Sequence, residues 1–433
     1  MQLSDIKEII SDNQNRSFEK TTPRDLSIEC VPESACAITG ARRCGKTYRS
    51  YQFIQELLAH GCARESVCRI QFNDLRLSRM HAQDLRNIDT AYYSIYPTAR
   101  EKGPVYFVFD EIHRIDGWED YVLYLLDDPR HRVLITGSTS KLLTGDIASA
   151  LRGKCRAREL FGFSFREFLR HLEIAVDTVS ASGKAMMRHI FDRYLSQGSY
   201  PELFRYDPQR YLEVLQEYWQ TMLLKDVIEA HPHERINFKT LSYFAQSLVS
   251  RTARPFTVRK LLDELHQAGL GCSPPTAYAF LRYLQEAFAL DTVSVFTEST
   301  RVRQRNYQKV YARDWALAEA VSVTAPPGSS RKLEAMVFTE LKRRSNVVHY
   351  LATGQGGEID FIVRHRTGAS CELIQVCQEL TEENSARELS PLPDACRSVG
   401  TGRALVITLW EERETVVDGI PLRIVPAWKW LLE

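Results

Sequence analysis

The stretch Gly40-Ala-Arg-Arg-Cys-Gly-Lys-Thr47 is the strongest signal in this chain. It matches G-x-x-x-x-G-K-[ST], the Walker A pattern, in which two glycines let the backbone curl around phosphate oxygens where a Cβ would clash. The N–H groups of such a loop and of the following helix form a concave anion site. We therefore expect Lys46 to contact the β- and γ-phosphates and the Thr47 hydroxyl to hold Mg²⁺. The candidate nucleotide-binding residues are Gly40, Ala41, Arg42, Arg43, Cys44, Gly45, Lys46, Thr47 and Tyr48.

The segments on either side of this loop support the same interpretation. Residues 34–39 form a small apolar run, which is typical of a buried parallel strand. Apolar side chains then recur at helical spacing over residues 48–60, and Gly61 ends that segment. Because strand, loop and helix follow in this order, an incidental glycine turn is the weaker interpretation.

Length, charge and cysteine usage limit the class of protein. The chain has 433 residues, 44% hydrophobic and 26% charged, as in ordinary globular proteins of several domains. A net charge of +1 creates no overall field towards nucleic acid or membrane, so any basic surface must be local. We find no long apolar run and no signal-peptide pattern, and the ten cysteines are scattered. We therefore expect a cytoplasmic protein with reduced thiols and no membrane insertion.

A second apolar run ends in two acids. Residues 105–109 read Val-Tyr-Phe-Val-Phe, and Asp110 and Glu111 follow directly. Adjacent acids after a strand are weak evidence alone, but downstream of a Walker A loop they form the Walker B pattern. The pattern predicts that Asp110 holds Mg²⁺, directly or through water, and that Glu111 polarises the attacking water.

Two further residues are candidates for catalysis. A strand predicted over residues 132–136 should end on the same sheet edge as the loop and the acids, which makes Ser138 a candidate sensor of γ-phosphate or water. The alternative is a helix N-cap, the role also open to Thr139 or Ser140. Arg152 is a candidate arginine for the γ-phosphate of a neighbouring subunit, with a solvated basic loop as the alternative. The candidate catalytic residues are thus Lys46, Glu111, Ser138 and Arg152.

These motifs, taken in order, resemble those of one family. The chain is similar to the bacterial and archaeal AAA-type ATP-binding proteins with a C-terminal domain of unknown function. The resemblance spans nearly the whole chain and implies a prokaryotic ATPase core, a helical lid, a winged helix and a nuclease-like terminal fold. The matching segments are Gly40–Thr47, Phe109–His113 with Gly117-Trp118, Thr136–Ser138, Leu151–Gly153, Phe163–Phe168, Gly198–Glu202, Lys225–Val227, Lys309–Tyr311 and Glu358–Phe361.

The predicted fold class is α/β. We expect a P-loop NTPase parallel sheet with a helical lid, followed by a winged-helix segment and a restriction-endonuclease-like α/β domain. The expected boundaries are 1–30 for an N-terminal helix and extension, 31–165 for the ATPase core, 166–235 for the lid, 236–304 for the winged-helix-like segment and 305–433 for the nuclease-like domain.

Residues 236–304 have the spacing of a helix-turn-helix module with a basic, wing-like loop. The third helical stretch carries Arg282 as its one clear cation, which fits phosphate contact better than base readout. Double-stranded DNA bound through residues 251–305 is therefore one interpretation, and a structural packing unit is the other. The nearby positive charge comes from Arg251, Arg254, Arg259, Arg301, Arg303 and Arg305.

The last domain has the element order of restriction-endonuclease-like folds. Such sites need one Asp at a strand end, then an acid and a lysine two residues apart on the next strand. Asp360 fits the first place, but Gln375 and Cys377 occupy the other two. We therefore expect a nuclease-like fold without nuclease activity.

The leading hypothesis is a Mg²⁺-dependent AAA-type ATPase, a nucleoside-triphosphate hydrolase with ATP and Mg²⁺ as cofactors. Hydrolysis would drive or release contacts of the C-terminal region with DNA, and a homo-oligomer is a further candidate assembly. One alternative is an ATP-gated DNA nuclease, against which Gln375 and Cys377 argue. The other is a nucleotide-dependent protein-binding switch with negligible hydrolysis, against which Glu111 argues.

Overall fold

The computed structural model describes residues 2–18, 20–138, 149–207, 210–297, 308–322, 328–344, 347–353, 357–364 and 371–433. The chain divides into two compact units, Met1–Phe161 and Gly162–Glu433. Among the helices in these ranges, none is both long and apolar enough to cross a membrane.

The first unit is built on a five-stranded parallel sheet. The strand order across it is β2-β3-β4-β1-β5, and every neighbouring pair is parallel. The strand that precedes the Walker A loop and the strand that ends in the acids are thus separated by β4. The strands are β1 (Ala35–Thr39), β2 (Val67–Gln71), β3 (Val105–Asp110), β4 (His131–Gly137) and β5 (Cys155–Glu159).

Helices cover this sheet and bury its apolar side chains. The N-terminal helix places Ile6, Ile9 and Ile10 in the core, as their helical spacing predicts. The second helix begins at Lys46, directly after the Walker A glycines. The parallel sheet with this loop and helix is the P-loop NTPase arrangement that the sequence predicts. The α-helices of this unit are α1 (Leu3–Asn15), α2 (Lys46–Ala59), α3 (Arg86–Ile95) and α4 (Trp118–Leu126).

The basic stretch after residue 151 differs from the loop considered from the sequence. Residues Cys155–Glu159 form β5, an edge strand paired in parallel with β1. Arg156 and Arg158 are exposed, while the residues between and beside them are half-buried. The alternation of charged and small residues lacks the apolar run that identifies a strand in sequence, because one face of this edge strand meets water.

The second unit combines helices with two sheets. Its helices are α5 (Phe165–His171), α6 (Ala181–Gln197), α7 (Tyr211–Thr221), which continues into a π-helical segment (Met222–Ile228), α8 (Phe238–Val249), α9 (Val258–Gln267), α10 (Pro274–Glu286), α11 (Leu317–Val321), α12 (Ser329–Arg343), α13 (Glu382–Leu389), α14 (Pro391–Val399) and α15 (Ala427–Trp430).

The small sheet has the order β6-β8-β7 and is antiparallel. The large sheet is mixed, with the order β13-β14-β12-β11-β10-β9. The strands are β6 (Arg254–Phe256), β7 (Leu290–Val293), β8 (Gln308–Ala312), β9 (Val347–Ala352), β10 (Glu358–Arg364), β11 (Cys371–Val376), β12 (Ala404–Thr408), β13 (Arg413–Val417) and β14 (Ile420–Pro426).

A hairpin at the edge of the large sheet was not expected from the sequence. Strands β13 and β14 pair in antiparallel fashion around Asp418 and Gly419, both of which have a positive φ. Asp-Gly between β-forming residues is a strong signal for a two-residue hairpin turn, so the sequence did contain the information. The hairpin extends the sheet by one antiparallel edge strand.

The first glycine of the Walker A loop is fixed by a close backbone contact. A Cβ on Gly40 would lie 2.2 Å from the carbonyl oxygen of Leu160, which follows β5. The Leu160 N–H in turn donates to the Thr39 carbonyl at 2.7 Å. The end of β5 and the start of the loop therefore leave no room for a side chain.

We expect Gly40→Ala to lower the free energy of unfolding by about 2–3 kcal/mol, because backbone must shift to admit the Cβ. Gly61→Ala is the matched control: its φ is +86°, but no atom lies within 4 Å of its Cβ position. That variant should cost only about 1 kcal/mol of backbone strain. Calorimetric unfolding of both variants checks this, and equal losses would contradict the steric explanation.

Candidate functional site

The Walker A loop curls around a point at the carboxyl end of β1. Gly40 and Gly45 have φ values of +151° and +102°, and Arg43 between them has +66°. Lys46 is buried, and its Nζ donates to the carbonyl oxygens of Gly40 and Ala41, each at 3.0 Å. Helix α2 starts without a side-chain cap, so its first N–H groups are available at the loop.

An arginine outside the Walker A motif donates hydrogen bonds to the backbone of the loop and of a neighbouring segment. Arg24 donates from Nη1 to the Cys44 carbonyl and from Nη2 to the Phe161 carbonyl, both at 2.7 Å. A Cβ on Gly45 would lie 3.0 Å from Arg24 Nη1. The Cys44 thiol is buried, and burial raises its pKa, which disfavours a reactive thiolate. Arg24 and Cys44 therefore stabilise the conformation of the loop.

The Asp110 carboxylate is the centre of the site. The Thr47 hydroxyl lies 2.9 Å from its Oδ2 and 3.2 Å from its Oδ1, and the Thr136 hydroxyl donates to Oδ1 at 2.5 Å. Arg69 Nη2 lies 3.3 Å from Oδ2. Asp110 has no exposed surface, so these contacts satisfy a fully buried carboxylate. Residues from α2, β4 and β2 therefore converge on the end of β3.

Glu111 has an unusual backbone conformation. Its φ and ψ are 58° and 38°, in the left-handed region, and its N–H donates to Thr136 Oγ1 at 3.1 Å. The Ser138 hydroxyl and His113 Nε2 each lie 3.4 Å from Glu111 Oε2. Ser138 is thus beside Glu111, as its position at the tip of β4 predicts. Thr139 and Ser140, the candidate N-cap residues, lie outside the described residues.

Arg152 lies at the amino end of β5, and the Walker A loop lies at the opposite, carboxyl end of the sheet. It is exposed, has a φ of 51°, and lies in the turn before β5. Since β5 runs parallel to β1, this turn is one strand length, about 16 Å, from the loop at the carboxyl edge. Arg152 does not reach the loop of its own chain, and its role towards a neighbouring subunit stays a prediction.

The side chains at this edge fit a magnesium ion. Mg²⁺ prefers hard oxygen ligands, commonly one or two from protein together with substrate phosphates. The Thr47 hydroxyl and the Asp110 carboxylate are oxygen donors already in contact with each other, next to the anion-binding loop. The donor set is therefore compatible with a metal–nucleotide ligand.

Three residues that contact this site have no role predicted from the sequence. Arg24 lies in a polar stretch and carried no recognisable signal. Arg69 is a charged residue inside the apolar run of β2, and Thr136 is a polar residue at the end of β4. Arg69 and Thr136 are both polar residues in strands that the sequence predicts to be buried. Because a buried polar group needs a partner, this placement is itself a signal that each side chain contacts another polar group.

Comparison with known proteins places these features in a family. Residues 32–169 match the AAA domain, and residues 188–327 match a domain of unknown function, DUF8612. The uncharacterized protein MJ1544 of Methanocaldococcus jannaschii is 30% identical over 438 residues, which cover 98% of this chain and 95% of that protein. This chain belongs to the same family as MJ1544.

Other proteins that the chain matches share less of its sequence. An uncharacterized protein of Haemophilus influenzae is 24% identical over 397 residues, covering 90% of this chain and 93% of that protein. Among solved structures, the Walker-type ATPase PABY2304 of Pyrococcus abyssi is 14% identical with a TM-score of 0.42. That match covers 67% of this chain and 91% of the other.

The arginines predicted to contact DNA have mixed surroundings. Arg254 and Arg259 are exposed, whereas Arg251 forms an ion pair with Glu264 at 2.6 Å. On α10, Tyr278 is 61% exposed and Arg282 lies 3.7 Å from Glu286. The basic loop with Arg301, Arg303 and Arg305 lies outside the described residues.

A second group of charges lies in the other unit, and we call it the acid–lysine cluster: the buried Lys309, Glu334 and Asp360 with the half-buried Glu358. Lys309 Nζ lies 3.0 Å from Glu334 and 3.2 Å from Asp360, and it also pairs with Glu358. The Tyr311 hydroxyl donates to Glu334 at 2.7 Å. A lysine therefore does approach Asp360, but it comes from β8 and not from the strand after Asp360.

The residues at the two expected positions have structural partners. Gln375 accepts from the Asp360 N–H at 3.3 Å and donates to Glu388 at 2.8 Å. Cys377 packs in the apolar core of the large sheet. In the described part of the chain, no group of three or more His, Cys, Asp or Glu residues is arranged to hold a metal ion.

Burial controls the charge of this cluster. It raises the pKa of Glu334 from 4.5 to about 7, with the Asp360 carboxylate adding to the rise and Lys309 opposing it. Burial also raises the pKa of Asp360. Burial alone would lower the pKa of Lys309, but Tyr311 and the three carboxylates raise it well above its usual value.

We expect the second unit to lose stability as pH rises through about 7. A raised carboxyl pKa means that the folded state binds more protons than the unfolded state between about pH 5 and pH 7, and that this stabilisation disappears above the folded pKa. Glu334→Gln should flatten the pH dependence of the free energy of unfolding over that range. Urea unfolding followed by tryptophan fluorescence suits the test, since five of the six tryptophans lie after residue 162. An unchanged slope in the variant would contradict the assignment to Glu334.

Proposed function

We propose that residues 31–165 form the core of a Mg²⁺-dependent ATPase. One observation carries this proposal: Thr47, Asp110 and Glu111 meet at one edge of a parallel sheet, beside a loop whose lysine faces inward. Phosphoryl transfer to water needs little beyond positioning and charge neutralisation, and this edge provides groups for both.

Lys46 can exchange its present hydrogen-bond partners for phosphate oxygens. Its Nζ contacts two loop carbonyls, and an ammonium group donates equally well to phosphate oxygens. Phosphate in the loop would therefore accept the hydrogen bonds that Gly40 and Ala41 accept here. The loop N–H groups and the N-terminus of α2 add positive potential at the same place.

In this proposal, the Asp110 carboxylate binds the metal ion and the Glu111 carboxylate orients the attacking water. Thr47 and Asp110 would hold Mg²⁺, which supplies neutralisation of phosphate charge when bound. Glu111 is the candidate base that orients the attacking water, and the Ser138 hydroxyl lies beside its carboxylate. The Thr136 hydroxyl contacts both acids, since it donates to the Asp110 side chain and accepts from the Glu111 N–H.

We further propose that hydrolysis is coupled to contacts made by the rest of the chain. In this proposal residues 166–235 are the lid, 236–304 a winged-helix-like segment and 305–433 a nuclease-like domain. Three helices packed in sequence with the antiparallel sheet β6-β8-β7, whose strand β6 lies between the first two of them, support the winged-helix proposal. The exposed side chains of Tyr278, Arg254 and Arg259 support contact with DNA. Exposed arginine and tyrosine side chains can donate hydrogen bonds to the phosphate oxygens of a nucleic-acid backbone.

A nuclease is the second candidate, and the acid–lysine cluster is the observation that favours it. Lys309, Glu334 and Asp360 bring together the residue types of a phosphodiesterase site. Against it, the lysine is ion-paired to three carboxylates, and Gln375 replaces an acid. We expect no Mg²⁺- or Mn²⁺-dependent DNA cleavage. Cleavage that wild type performs and Asp360→Ala loses would establish the nuclease instead.

We expect Glu111→Gln to lower Mg²⁺-dependent ATP turnover by about 10²- to 10³-fold, because the water loses its base. Binding of ADP should be retained, since Glu111 makes no contact with the loop lysine. Glu101→Gln, which neutralises an exposed glutamate in the same unit, is the matched control and should keep wild-type turnover. Phosphate release that is equally slow in wild type and Glu111→Gln would favour the non-hydrolysing switch.

The same turnover assay with double-stranded DNA tests the proposed coupling. Turnover that rises with DNA and is lost in Glu111→Gln would support a DNA-coupled ATPase. Loss of this stimulation in a variant with Arg254→Ala and Arg259→Ala, at unchanged basal turnover, would place DNA on the winged-helix-like segment. Turnover indifferent to DNA would favour a protein partner.

A further inference from the structure

Arg69 is a buried cation in the middle of a strand. It lies on β2, and only 3% of its surface is exposed. Its guanidinium covers the Tyr51 ring at 4.6 Å, and its Nη1 donates to the Asn13 side chain at 2.8 Å. Its Nη2 forms the ion pair with Asp110 described above. One arginine thus connects helix α1, helix α2 and the candidate metal carboxylate.

The Nη2 group of Arg69 has more acceptors than hydrogens. Besides Asp110 Oδ2 at 3.3 Å, it lies 3.1 Å from Gln71 Oε1 and 3.2 Å from the Tyr51 hydroxyl oxygen. Two N–H bonds cannot serve three acceptors fully, and all three distances are at the long end for such bonds. Releasing Asp110 would therefore leave both hydrogens with partners.

Asp110 requires a positive charge nearby. A fully buried carboxylate is costly unless it is paired and hydrogen-bonded. The two threonine hydroxyls supply hydrogen bonds but no charge, whereas Arg69 supplies charge. A divalent cation at Asp110 would supply the same charge, and two cations beside one carboxylate repel each other.

We propose that Arg69 competes with the divalent cation for Asp110 and so keeps metal binding exchangeable. The proposal rests on the proposed function, since it takes Asp110 as a metal ligand. When the cation binds, Arg69 turns to Gln71 and Tyr51. Because Arg69 also holds Asn13, metal occupancy is transmitted to helix α1, whose end is further fixed by Gln14 on the Val67 carbonyl at 2.6 Å.

The first test measures binding of Mn²⁺ to the full-length protein with saturating ADP, by electron paramagnetic resonance. Arg69→Met removes the competing charge at similar length, so we expect the dissociation constant of Mn²⁺ to fall by roughly tenfold. Arg69→Lys keeps the charge and should stay near the wild-type value. Weaker Mn²⁺ binding in Arg69→Met would overturn the proposal, because Arg69 would then help Asp110 bind the cation.

Thermal unfolding without metal or nucleotide gives a second readout that needs no activity. Arg69→Met should lower the melting temperature in the wild-type background, where Asp110 is left uncompensated. In an Asp110→Asn background the same change should cost much less, because there is no charge to compensate. Equal losses in both backgrounds would show that Arg69 acts through packing alone and would overturn the proposal.

The failure of the proposed function would look different. If wild type bound no fluorescent ADP, with or without Mg²⁺, the ATPase proposal would fail while the unfolding cycle still measured the Arg69–Asp110 coupling. If wild type bound ADP and the cycle showed no coupling, the competition would fail and the ATPase would stand. Hydrogen exchange in residues 3–15 should change on addition of Mn²⁺ and ADP in wild type but not in Arg69→Met.

Discussion

The burial of the Asp110 carboxylate determines how the first unit is arranged around its site. A carboxylate without exposed surface must receive hydrogen bonds and charge from within the fold. Those partners come from the start of α2, the end of β4 and the middle of β2. The strand order, with β4 between β1 and β3, is what brings the loop threonine and the strand threonine to the same acid. The strand order that defines the fold of this unit therefore also assembles the candidate site.

Local patterns in the sequence predicted the parts of this site that are contiguous in the chain. The Walker A loop with its strand and helix, and the strand that ends in Asp110 and Glu111, were recognisable from residue types alone. The position of Ser138 beside Glu111 followed from one rule, that parallel strands end at the same edge. The roles proposed for these residues stay predictions until turnover is measured.

Contacts between distant segments were not predictable in the same way. Arg69 lies 41 positions before Asp110, and Lys309 lies 51 positions before Asp360, so no spacing rule connects them. The nuclease motif requires a lysine two residues after an acid, where this chain has Cys377, while the folded chain brings Lys309 from another strand. The β13–β14 hairpin is a different case, because Asp418-Gly419 is a local sequence signal for its turn.

The left-handed backbone of Glu111 has a consequence for which residues this position accepts. In that conformation a side chain with a Cβ costs about 1–2 kcal/mol relative to glycine, and asparagine and aspartate tolerate it better than glutamate. Selection for stability alone would replace glutamate here. The chain has the residue type with the longer carboxylate and a strained backbone at that point, which fits the water-orienting role proposed for Glu111.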